Sequence, residues 1–152
     1  MELVHPPSRE GSTVRAASWV ALALPACVGP LRARLAAFAE AHVECAALIA
    51  DLELAASEAI TNVVMHAYRD RARPGTVTAR IGIDTAAGRV EVVVTDGGVG
   101  MSPRPDSPGA GLGLSIMTAT CDQVTVRHGS TGGGTEVGMT FALRRGARER
   151  AA

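Results

Sequence analysis

Ser57-Glu58-Ala59-Ile60-Thr61-Asn62-Val63-Val64-Met65-His66-Ala67-Tyr68 is the stretch that decides the fold. Glu58, Asn62 and His66 stand four residues apart in an apolar, alanine-rich run. On a helix of about 3.6 residues per turn, a step of four rotates the side chain by only about 40°, so the three polar groups form one stripe. Ala59, Ile60, Val63, Val64 and Met65 lie between them and face a core. A carboxylate and an amide at the edge of a buried helix are costly unless something satisfies them; a hydrated divalent cation carrying phosphate oxygens would do so. Taken singly, Glu58 and Asn62 read as a solvated helix face, and His66 as a packed or capping histidine.

Three glycine clusters follow in the second half of the chain. Val90-Glu91-Val92-Val93-Val94-Thr95 reads as a strand and runs into Asp96-Gly97-Gly98-Val99-Gly100, where the backbone can turn sharply and approach a ligand. Gly109-Ala110-Gly111-Leu112-Gly113-Leu114 opens a helix expected over residues 112–120. Free amides at such a helix start bind phosphate. Gly132-Gly133-Gly134-Thr135 leads into a last strand over residues 136–143. A lone glycine cluster is an ordinary turn; the order of stripe, strand-end Asp, helix-opening glycines and Gly-Thr carries the weight.

This order resembles the GHKL ATPases, whose ATP-binding domain is the Bergerat fold shared by gyrase, heat-shock chaperones, histidine kinases and mismatch-repair ATPases. Glu58-x-x-x-Asn62-x-x-x-His66-Ala67-Tyr68 matches the N-box, Asp96-x-Gly98-x-Gly100 the first glycine box, Gly109-x-Gly111-Leu112-Gly113-Leu114 the second, and Gly134-Thr135 the last. The His-Ala-Tyr ending, with Gly113-Leu-Ser-Ile-Met117, Cys121-Asp-Gln-Val124 and Gly134-Thr-Glu-Val137, is most similar to the small anti-sigma-factor serine kinases. The likeness spans about residues 17–143.

The resemblance implies a set of roles. Glu58 would be the general base that takes a proton from an attacking serine hydroxyl or water. Asn62 would coordinate Mg²⁺ through its amide oxygen. Asp96 would accept a hydrogen bond from the adenine amino group, and Thr135 would complete recognition of the base. Gly98 and Gly100 would let the backbone pass the base; Gly109, Gly111, Leu112 and Gly113 would bring amides to the phosphates. His66 and Tyr68 would be structural. The lid between Gly100 and Gly109 is short and holds three prolines; Arg104, its one basic residue, reads equally as a phosphate contact or as a solvated arginine. Arg32 falls where the family tends to place an arginine facing its partners, with Arg34 as the competing candidate and a plain surface arginine as the alternative.

The implied protein is an ATP-dependent serine/threonine-protein kinase, with ATP and Mg²⁺ as cofactors, that regulates transcription as an anti-sigma factor. It would bind a sigma factor, phosphorylate a serine of an anti-anti-sigma factor and work as a homodimer. The alternatives are an ATP-binding regulatory module that sequesters a partner without phosphotransfer, and a detached histidine-kinase catalytic domain. Glu58 argues against the first, since a binding pocket needs no base. The absence of a helix pair bearing a phospho-acceptor histidine argues against the second.

Composition narrows the classes further. The 152 residues suit one domain, and 47% hydrophobic with only 3% aromatic residues means a core of Ala, Val, Leu and Ile. Fifteen basic and fifteen acidic residues balance, which argues against a direct nucleic-acid partner. Cys27, Cys45 and Cys121 are odd in number and lack metal-site spacing, as expected of a reduced cytoplasm. No apolar run is long enough to span a membrane. Residues 19–27 follow Arg15 and end Leu24-Pro25-Ala26-Cys27, faintly like a lipoprotein cleavage site, which Pro25 fits poorly.

The chain therefore divides into a flexible leader over residues 1–12, a histidine-kinase-like ATPase domain over 13–145 and a disordered arginine-bearing tail over 146–152. Within the domain we expect a strand over 17–24, helices over 28–42 and 46–68, strands over 76–84 and 90–95 joined by a turn at Ala86-Ala87-Gly88, the helix over 112–120, and strands over 123–127 and 136–143. This is an α+β chain: a two-layer sandwich of a mixed, mostly antiparallel sheet with its helices on one face.

Overall fold

The computed structural model describes residues 14–100, 110–129 and 133–143. The leader, the tail, the short lid with Arg104, and Gly109 lie outside these residues. Five strands form one sheet in the order β1-β2-β3-β5-β4. They are β1 (Val14–Leu22), β2 (Thr76–Asp84), β3 (Arg89–Asp96), β4 (Gln123–His128) and β5 (Thr135–Ala142). All four pairings are antiparallel, so this sheet has no parallel component where the sequence left room for one. Three helices, α1 (Val28–Glu40), α2 (Ala46–Asn62) and α3 (Ala110–Thr120), pack on the sheet.

Alternation dictates which face they cover. Val77, Ala79, Ile81 and Ile83 of β2, Val90, Val92 and Val94 of β3, and Val137, Met139 and Phe141 of β5 are all buried, while their neighbours point to the open face. α2 lies between α1 and α3 over β3 and β5. Leu48, Leu52, Ala55, Ala56, Ala59 and Ile60 recur at helical spacing and are fully buried. Ala55, Ala56 and Ala59 are small enough to let α2 lie close on the sheet. Trp19 and Phe38 meet edge-on at 6.3 Å and pin α1 over β1. His42 Nδ1 lies 2.7 Å from the Phe38 carbonyl and closes the end of α1.

Two boundaries differ instructively from the sequence reading. β1 begins at Val14 and ends at Leu22, because all nine of its residues pair with β2. The second helix does not run regularly to Tyr68: after Asn62 it opens into a π-helical turn over Val63–Ala67. The β2–β3 hairpin turns as expected, with Gly88 at φ 64° and Asp84 Oδ1 accepting from Ala87 N at 2.8 Å.

Candidate functional site

The site assembles at the end of the sheet where α2 finishes, β3 ends and β5 begins. Glu58 and Asn62 lie one turn apart on α2, both half-buried. α3 crosses this edge with its first turn. A side-chain carbon at Gly113 would stand 3.1 Å from Glu58 Oε2 and 3.3 Å from Asn62 Nδ2, so only glycine lets the two helices meet here without displacing those groups. Ala110, Gly111, Leu112 and Gly113 form the first turn of α3, and the amides of its first three residues have no acceptor within the helix. The first turn of α3, a carboxylate and a side-chain amide therefore meet at one point. That combination suits a phosphate chain with a cation, and Mg²⁺ needs only one or two protein oxygens when phosphates and waters supply the rest.

Asp96 closes β3 and is 6% exposed. Burial pushes its carboxyl above the ordinary value of 3.8, against the opposing pull of hydrogen bonds from the backbone amides of Gly98 and Thr135. The Gly98 bond to Asp96 Oδ1 is 2.8 Å long. A buried acceptor oriented by two amides is suited to a single directed hydrogen bond, such as one from an exocyclic amino group. Thr135 opens β5 beside it and is equally buried. Gly134, at φ 85°, lies so close to the Asp96 carbonyl that any side chain would overlap it. Gly98 and Gly133 face each other across the same gap, and Gly100 lies against the Gly134 carbonyl.

The contacts form two groups: Glu58, Asn62 and Gly113, with Gly111 and Leu112 in the same turn of α3, and Asp96, Gly98, Gly100, Gly134 and Thr135. His66 is different: its Nδ1 accepts from Arg69 Nη2 at 2.6 Å in an exposed contact on its own segment. Arg32 on α1 reaches Glu53 on α2 at 3.8 Å with both side chains about half exposed, a weak surface pair. Two residues were missed. Arg71 touches the loop that carries Asp96, and His128 ends β4 beside Gly100. Both are polar residues in irregular or edge positions, which carry no periodic signal. The tyrosine three residues before Arg71 was the one hint to its place.

Comparison with known proteins agrees with this geometry. The histidine kinase-like ATPase domain family matches residues 21–141. The serine-protein kinase RsbW of Bacillus licheniformis is 34% identical over 149 residues, covering 86% of this chain and 89% of its own length. RsbW of Bacillus subtilis is 34% identical over 136 residues, covering 80% and 81% respectively. The anti-sigma F factor of Pasteuria penetrans is 36% identical over 106 residues, covering 62% of this chain and 69% of its own. The chain belongs to the histidine kinase-like ATPases of the GHKL superfamily and, among them, to the anti-sigma-factor serine kinases.

Proposed function

We propose that this protein transfers the γ-phosphoryl group of Mg²⁺-bound ATP to a serine of an antagonist protein, an anti-anti-sigma factor, and that it binds a sigma factor in the alternate state. The observation that carries the reading is the packing of Gly113 against Glu58 and Asn62. It brings a carboxylate and a side-chain amide against the first turn of α3, which supports the reading because phosphoryl transfer asks for little beyond positioning and charge neutralisation. Glu58 takes the serine hydroxyl proton as the serine oxygen attacks the γ-phosphorus, and the bond to the β–γ bridging oxygen breaks to leave ADP. Asn62 offers its amide oxygen to the Mg²⁺ that arrives with the nucleotide. Asp96 selects adenine, and Thr135 borders the base. The kinase and anti-sigma names of the relatives support the assignment of partners.

The working unit is a homodimer built on β1. This strand is an edge of the sheet, and Val20 and Leu22 on its open face are 60% and 56% exposed. An apolar, exposed strand edge is normally paired or covered. Arg32 belongs to the partner-facing surface, and its weak tie to Glu53 is easily given up. The free cysteines suit a cytoplasmic protein, and among the described residues no helix is long and apolar enough to cross a membrane.

The test is incubation with γ-labelled ATP, with and without Mg²⁺, beside small candidate antagonists encoded in the same genome. The expected result is Mg²⁺-dependent label on a serine of one of them. Tight ATP binding with no transfer to any candidate would leave a nucleotide-gated binding module instead.

A further inference from the structure

Gly97, the residue between Asp96 and Gly98, has both of its backbone polar groups held by side chains from the far end of the α2 segment. Its N–H donates to Tyr68 Oη at 2.9 Å. Its carbonyl accepts from Arg71 Nη2 at 3.3 Å. The Tyr68 hydroxyl spends its own proton on the Thr76 carbonyl at 2.7 Å, at the start of β2. The hydroxyl is thus fixed from both sides, with its acceptor lone pair directed at Gly97. The Arg71 guanidinium lies 5.5 Å over the tyrosine ring, so the two side chains hold each other in place. A second tie runs alongside, where Val99 N donates to the Ala67 carbonyl at 3.0 Å. That carbonyl ends the π-helical turn. The turn rotates the chain out of the α-helical path and brings the Ala67 carbonyl and Tyr68 against the loop.

We propose that Tyr68 and Arg71 are positioning residues for nucleotide selection: they clamp the Gly97 peptide so that the next amide, Gly98 N, holds the Asp96 carboxylate in the orientation that reads the base. The inference rests on the adenine-binding role of Asp96 proposed above. It assigns to the His-Ala-Tyr tyrosine a task in recognition, carried out through Asp96 and not by contact with the ligand. A glycine between two recognition elements has wide backbone freedom, and without the clamp the carboxylate samples orientations that miss the amino group. The same clamp ties the reader of the base to the segment that carries Glu58 and Asn62.

Calorimetric titration of wild type, Tyr68→Phe, Asp96→Asn and the double variant with ATP and with GTP tests this. Tyr68→Phe keeps the ring and removes only the hydroxyl. It should weaken ATP binding about 5- to 20-fold, part of the worth of the charged hydrogen bond made by the Asp96 carboxylate it orients, while GTP binding stays as it was. The ATP-over-GTP preference then narrows by the same factor, which a loss of general stability does not produce. In the Asp96→Asn background the added Tyr68→Phe change should cost less than about twofold, because the group it positions is already altered. Arg71→Met, on the exposed side of the clamp, should narrow the preference in the same direction and serves if Tyr68→Phe does not fold. A wild type that does not prefer ATP overturns the nucleotide reading and the clamp together. A wild type that prefers ATP, with the preference intact in Tyr68→Phe and Arg71→Met or with additive losses in the double variant, overturns the clamp alone.

Discussion

Gly113 meets Glu58 with no space to spare: a methyl group at position 113 would stand 3.1 Å from Glu58 Oε2, inside ordinary contact distance. The relationship makes this glycine a spacer for the Glu58 carboxylate more than a flexible hinge. Gly113→Ala should keep the fold, since alanine favours a helix over glycine by up to about 1 kcal/mol. It should slow phosphotransfer about tenfold, because a displacement of a few tenths of an ångström at a reacting group is costly in rate. A melting temperature at or above the wild-type value beside reduced turnover at saturating ATP is the expected pair of results. Full turnover would remove the spacer role.

Glu58 itself separates catalysis from binding. Glu58→Gln keeps the size of the side chain and its fit against Gly113 but removes the carboxylate proposed as the base. Nucleotide affinity should remain within about twofold, and phosphotransfer should fall on the order of 10²–10⁴-fold. Lost affinity would make Glu58 a ligand of the nucleotide or metal. Unchanged transfer would place the base elsewhere.

Much of this site was legible because its parts repeat with a period or sit at punctuation. Glu58 and Asn62 share a face by helical spacing alone, and β2 occupies Thr76–Asp84 as its alternation requires. The π-helical turn was not legible. Val63-Val64-Met65-His66-Ala67 continues an α-helical pattern in sequence, and what opens it is tertiary: the Ala67 carbonyl bonds to Val99 N, and Tyr68 reaches Gly97 and Thr76. The same holds for the start of β1, where Val14, Arg15 and Ala16 join the strand because Asp84, Ile83 and Gly82 are there to pair with them. Arg71 was invisible for a related reason, since a single arginine in an irregular segment shows its function only through the carbonyl it finds.

Asp96 sets stability against function. Its carboxyl is raised above 3.8 chiefly by burial, so the folded state disfavours the charged form. For such a group the stability it contributes is fully present below the unfolded value of 3.8 and is lost as pH rises through the higher folded value. Asp96→Asn lacks this titration. The ligand-free variant should therefore be at least as stable as wild type at pH 7, with the difference shrinking as pH falls toward 4. ATP binding should weaken by the worth of a charged hydrogen bond, about 1.5–3 kcal/mol or roughly 10- to 150-fold. Urea unfolding at several pH values, paired with calorimetry, reads both effects. A variant less stable at neutral pH than at pH 4, relative to wild type, would contradict the burial argument.

The edge strand tests the assembly. Val20 and Leu22 point to the open face of β1, opposite Thr78 and Thr76 of β2, and are 60% and 56% exposed. Lysine at an exposed strand position is tolerated by a folded monomer, typically within about 0.5 kcal/mol. The same substitution opposes pairing of two identical strands, because it stacks like charges across the new edge. Val20→Lys combined with Leu22→Lys should therefore leave the melting transition of the protomer in place and convert a dimer of twice 15.6 kDa into a monomer in light scattering. Loss of the dimer with ATP binding retained would locate the interface on β1, since Asp96 and Asn62 lie on other elements. A wild type that scatters as a monomer throughout the accessible concentration range would refute the dimer. A double-lysine variant that stays dimeric would move the interface to another surface.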